Sequence, residues 1–137
     1  MTREPPYTLA ILRLAASLPL ESALTAPDGM GTARSAACGS VISSQVALAE
    51  GRIGQIGQKV TACAYGQASA AILQSWAPGR LKAEVIVMRA ALRAWLEERG
   101  ELPGAWAALA PVAGRAGRHG AVLLPFDALL AALKEAE

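Results

Sequence analysis

Residues 40–63, SVISSQVALAEGRIGQIGQKVTAC, decide the fold. In the first part Ile42, Ser44, Val46 and Leu48 fall on one side, and Ser43, Gln45 and Ala47 on the other. A period of two marks a strand with one buried face. Glu50-Gly51 interrupts the pattern as a turn, and 52–62 resumes it with Ile56 and Val60 on one face. Upstream, GTARSAA (31–37) is a weaker strand. Connections this short join antiparallel neighbours, so the three segments predict a meander.

Helical periodicity surrounds this sheet. Residues 7–18 place Ile11, Leu14, Ala15 and Leu18 at i, i+3, i+4 and i+7, between Glu4-Pro5-Pro6 and Pro19. Residues 63–76 carry a small-residue face of Ala64, Ala68, Ala71 and Ser75. Residues 81–99 turn Val85, Met88, Leu92 and Trp95 inward, with Gly100 placed to cap the end. A short helix around Trp106 and a Gly-rich loop (111–120) lead to a last helix over 122–135, whose stripe is Phe126, Leu129, Leu130 and Leu133. Helix, then strands, then helices predicts an α+β fold, a three-stranded antiparallel sheet with helices packed on one face. With 137 residues, no repeat and no linker, 1–137 reads as a single domain.

Composition narrows the function. A net charge of +2, with no basic stripe interleaved with aromatics, argues against nucleic acid. The longest charge-free run, Val60 to Gly79, contains Gln67, Ser69, Gln74 and Pro78, so no membrane span is expected. At the N-terminus, Glu4 offsets Arg3, two prolines follow and Arg13 interrupts the apolar run, so no secretion signal is expected. Two cysteines without a CxxC motif point to reduced, cytoplasmic thiols.

Those cysteines sit where chemistry is available. Cys63 falls where the third strand gives way to a helix, and helix N-termini stabilise thiolates. Cys38 lies in ACGS, the turn between the first two strands, so the meander places both cysteines at one end of the sheet. His119, the only histidine, ends the Gly/Arg loop and can reach the same rim if the last helix folds back across the sheet. Thiolate and imidazole are zinc and iron–sulfur ligands. From spacing alone, each cysteine reads first as inert core and the histidine as structural or solvated. Asp127, eight residues after His119, is a distant fourth ligand or a surface carboxylate.

The ordered phrases go further. ACGS, a hairpin ending in G-x-x-V-x-A-C, the helix GQASAAIL and a late H-x-x-x-L resemble the U-type iron–sulfur cluster scaffold family, the NifU N-terminal/IscU/SufU group, from about Thr8 to Leu133. The resemblance implies a scaffold or carrier rather than an enzyme. Such a protein accepts sulfur from a cysteine desulfurase, binds iron or a [2Fe–2S] cluster, with zinc able to take the same ligands, and passes the cluster to recipient apo-proteins as a monomer or weak dimer. By position it assigns Cys38, Cys63 and His119 as ligands. The chain departs from the family pattern at three points: Ser40 stands for an aspartate, Ala62 for a glycine, and Gly120 for the third cysteine. Without that cysteine, Cys63 or Cys38 becomes the persulfide acceptor. Leu109-Ala110-Pro111-Val112 is similar to the family's Leu-Pro-Pro-Val-Lys chaperone motif, without its lysine. Arg115 and Arg118 are placed to dock a partner or to offset an anionic cluster. The alternative is a divergent zinc-binding or metal-free member acting in sulfur transfer or protein interaction.

Overall fold

The computed structural model describes residues 7–18, 23–36 and 39–137. Cys38 and the terminating Pro19 lie outside them. Element order is helix α1 (Leu9–Ser17), strands β1 (Gly29–Arg34), β2 (Val41–Ala49) and β3 (Arg52–Thr61), helices α2 (Ala64–Trp76) and α3 (Lys82–Leu96), 3₁₀ segments Gly104–Gly114 and Ala116–Arg118, and helix α4 (His119–Glu135). The sheet is antiparallel in the order β1-β2-β3. The α+β meander expected from the alternation is therefore what forms.

Strand register explains how the helices attach. Three cross-strand rows face α4 and α2: Gly29–Val46–Ile56, Gly31–Ser44–Gln58 and Ala33–Ile42–Val60. Ile42, Val46 and Ile56 are buried, and so are the polar Ser44 and Gln58. Gln58 donates to the Ala70 carbonyl at 3.0 Å and to Gln74 Oε1 at 2.9 Å, which ties β3 to α2. On β1 two of the three inward residues are glycines for a steric reason. A Cβ at Gly29 would lie 2.1 Å from the Ala132 carbonyl oxygen, and one at Gly31 would lie 2.5 Å from the Ala132 nitrogen. Helix α4 thus rests directly on strand backbone.

Five sequence expectations are corrected. Leu48 does not join the inward row, because a register shift between Ala47 and Leu48 leaves it partly exposed. α3 ends at Leu96, and Glu98 takes the left-handed conformation (φ 61°) expected of Gly100. The Gly-rich loop at 111–120 is mostly 3₁₀ helix, and the last helix starts at His119 rather than 122. Leu130 is only half-buried, while Phe126, Leu129 and Leu133 are buried as expected.

Helices and 3₁₀ segment are joined by a buried polar bridge. Ser69 Oγ donates to the Val122 carbonyl at 2.7 Å and accepts from Trp106 Nε1 at 3.1 Å. Ser69, Trp106 and Val122 are fully buried. One hydroxyl therefore links α2, the 3₁₀ segment and α4, the last two of which flank His119.

Candidate metal rim

Cys63 is the N-cap of α2, in extended conformation (φ −67°, ψ 171°). Its carbonyl accepts from Gln67 N–H at 2.9 Å, while its side chain makes no capping bond. The sulfur is left free and half-exposed, beside the unsatisfied N–H groups of a 13-residue helix. The β3 residue before this junction, Thr61, pairs with Val41, so the start of β2 lies alongside. There Gly39 has φ +71°, a region that favours glycine, and its N–H donates to the Ser35 carbonyl at 2.9 Å. Ser35 N–H in turn donates to the Ser40 carbonyl at 2.9 Å.

These pieces converge. Gly39, Ser40, Thr61, Ala62, Cys63 and Arg118 line one shallow concavity of about 200 Å³. Residues next to Cys38 and next to His119 thus meet at Cys63, at the sheet end named from the sequence. Cys38 itself is outside the described residues. Among those residues, no three His, Cys, Asp or Glu side chains gather as a metal-binding group.

His119 is oriented by main chain. Its Nε2 lies 3.1 Å from the Val112 carbonyl oxygen and 3.2 Å from that of Ala113. Carbonyls only accept, so the bond network assigns a hydrogen to Nε2, and in the neutral ring the lone pair is then on Nδ1. Donation from the second ring nitrogen to a carbonyl is the usual support of a metal-bound imidazole. The stretch resembling a chaperone motif supplies this support: Leu109 and Val112 are buried, and Pro111 is exposed.

Tyr65, two residues into α2, was not singled out in the sequence. It is buried, with its ring against Tyr7 at a centroid distance of 4.9 Å. Burial pushes its hydroxyl pKa up; Arg115 and Arg118 pull it down, and Tyr7 and Cys63 add to the rise. The tyrosine, the thiol and the two arginines therefore share one electrostatic neighbourhood. The available signal was its i+2 position from Cys63.

Among the described residues, the ligands that the resemblance leads one to expect at positions 40 and 120 have no replacement nearby. Ser40 is 4% exposed. Gly120 is exposed, and a Cβ there would meet nothing within 4 Å. Asp127 lies about 12 Å further along α4, at 1.5 Å rise per residue. It accepts from Arg89 Nε at 2.7 Å, in the contact between α3 and α4 rather than at the rim.

No family model and no curated protein matches the sequence. Solved structures do. A nitrogen-fixing NifU-like protein (N-terminal) from Brucella abortus aligns with a TM-score of 0.85 at 29% identity, covering 94% of this chain and 92% of that one. The chain has the fold of the U-type scaffold proteins. The same U-type fold recurs in a protein described as an iron–sulfur cluster assembly scaffold for the SUF system from thermophilic Fervidobacterium islandicum AW-1. There the TM-score is 0.79 at 19% identity, covering 93% of this chain and 96% of that one. No helix among the described residues is long and apolar enough to cross a membrane.

Proposed function

We propose that this U-type chain is an iron–sulfur scaffold or carrier. It binds iron or a [2Fe–2S] cluster as cargo at the rim formed by Cys38, Cys63 and His119, accepts sulfur from a cysteine desulfurase, and delivers to recipient apo-proteins. The observation that carries this reading is the convergence of Cys63 with the flanks of Cys38 and His119 on one concavity. The likeness to the Brucella protein over nearly the whole chain supports it. Donor chemistry fits: thiolates and an imidazole presented through Nδ1 suit iron and zinc alike. Cys63, half-exposed and uncommitted to a cap, is the stronger persulfide acceptor. The role is that of a carrier rather than an enzyme, working in the cytoplasm as a monomer or weak dimer. The absence of a third cysteine keeps a second reading in play, a zinc-holding member active in sulfur transfer or protein interaction.

Anaerobic reconstitution with iron, sulfide and reductant tests the proposal, read by visible absorption and metal analysis. Parent protein should take up a cluster, and Cys38→Ser, Cys63→Ser and the double variant should not. Colourless parent protein holding one tight zinc would favour the second reading. Serine variants that bind metal like the parent would exclude the rim altogether.

A further inference from the structure

Among the described residues, nothing covers one face of α3. The buried side of this helix holds Val85, Leu92 and Leu96, and it packs chiefly on α4. On the far side Val87 is 68% exposed and Ile86 49%. Beside Val87 runs an open trough of about 420 Å³, walled by Trp76, Ala83, Met88, Ala91 and Pro103. Exposed apolar surface that borders an apolar hollow marks a contact site more often than isolated exposed residues do. The trough is remote from the thiol. Trp76 ends the helix that Cys63 caps, about 20 Å away at 1.5 Å rise per residue.

Charge is spread unequally along α3. At its N-terminal end Arg52 and Arg80 share one carboxylate, Glu84, at 3.7 and 3.2 Å, while Lys82 is paired with Glu137. At its C-terminal end Glu97 is shared by Arg93 and Arg99. Glu98 and Glu101 follow, exposed and in no ion pair among the described residues. Two guanidiniums against one carboxylate leave the first end positive; two against three leave the second end negative. A face with opposite ends is complementary to a copy of itself laid antiparallel, and a two-fold contact requires such self-complementarity. With the axis at the level of residue 89, the middle of Lys82–Leu96, Val87 lies opposite Ala91 of the second copy and Arg80 opposite its Glu98. A large side chain then meets a small one, and a cation meets an anion.

We propose that this face docks a second copy of the chain, α3 against α3 in antiparallel order, each Val87 entering the trough of the other. The inference does not rest on the carrier reading, and it leaves both Cys63 rims outside the contact. One face of a 15-residue helix makes a small interface, so the association is weak and concentration-dependent.

Sedimentation velocity on the full chain, from low micromolar to near-millimolar concentration, tests the inference. The parent should pass from monomer to dimer with no larger species, because a two-fold contact closes. Val87→Glu sets a carboxylate against the partner's apolar trough and should raise the dissociation constant at least about tenfold. Its melting curve should match the parent's, since the side chain is mostly exposed in the monomer. Glu98→Lys should raise the constant about fivefold by losing two exposed ion pairs at once. In a Cys38→Ser/Cys63→Ser background, a short bis-maleimide should join Val87→Cys to Ala91→Cys in a mixture faster than it joins either variant to itself. A parent that stays monomeric, a dimer indifferent to Val87→Glu, or faster self-coupling of Val87→Cys would each overturn the inference. So would a monomeric parent whose trough binds the apolar dye ANS in a Val87-dependent way, which would assign the trough to a small apolar ligand. None of these readouts uses iron or sulfide, so the carrier reading stands or falls separately.

Discussion

Ser69→Ala is the sharpest probe of how the rim is built. The hydroxyl it removes accepts from Trp106 Nε1 at 3.1 Å and donates to the Val122 carbonyl at 2.7 Å, all in fully buried surroundings. The carbonyl keeps its place in the helical ladder of α4, so it loses only a second partner. The indole N–H loses the partner that the hydroxyl provides, and an orphaned buried donor costs about 1–3 kcal/mol. Alanine adds no strain and leaves a void smaller than a water molecule. We therefore expect a loss of about 2 kcal/mol, with a melting temperature lower by roughly 6–8 °C for a chain of this size. The measurement is urea unfolding followed by circular dichroism, run as a cycle with Trp106→Phe. Phenylalanine has no N–H to strand, so Ser69→Ala should cost at least about 1 kcal/mol less in that background. A single-variant loss below about 0.5 kcal/mol, or an equal loss in both backgrounds, would refute the bridge as a stabilising element.

Further outcomes are expected. Cys63→Ser should abolish cargo retention while raising helix stability by about 0.5–1 kcal/mol, because serine is a favoured N-cap and Cys63 makes no capping bond. Thermal melts and metal analysis on one preparation check both halves. Gly31→Ala should lower stability by about 1–3 kcal/mol through overpacking against the backbone of Ala132, seen as a shifted urea midpoint. Glu84 accepts from Leu81 N–H and pairs with Arg80, and these bonds hold its pKa below the ordinary 4.5. A depressed native pKa means that its stabilisation is complete above 4.5 and fades as pH falls through the lowered value. The melting-temperature gap between parent and Glu84→Gln should then be present at neutral pH and close in acid. Asp127→Asn should leave iron retention unchanged, since its carboxylate is engaged by Arg89 away from the rim.

Much of this was legible because burial writes a period into the chain. The alternation of Ile42, Ser44 and Val46 is the inward face of β2, and the end of β3 at Thr61 marks where Cys63 caps a helix. Other features depend on partners distant in sequence. Helix α4 starts early although Gly120 disfavours helix, and the adjoining Ala121 is buried against α2 at Gly66. Pro125 lies within α4, where local preference would end a helix. Leu48 leaves its face because of a register shift that alternation does not encode. Of the concavity, the residue types announced Cys63. The choice of Nδ1 over Nε2 comes from carbonyls six and seven residues upstream of His119, which only the 3₁₀ path brings within reach.

The bare contact between α4 and β1 bears on how this protein can change over time. Side-chain packing makes the spacing of two elements a function of residue volume, so every substitution re-tunes it. At Gly29 and Gly31 the spacer is peptide itself, and its thickness does not vary with the neighbouring sequence. The helix that begins with His119 is thereby gauged to the same sheet that delivers Cys63, whatever its other side chains become. A lineage can rewrite most of the helix surface while this stretch of the helix keeps its distance from the sheet. Drift is cheap there except at the two glycines, whose replacement would push the helix around Ala132 away from β1.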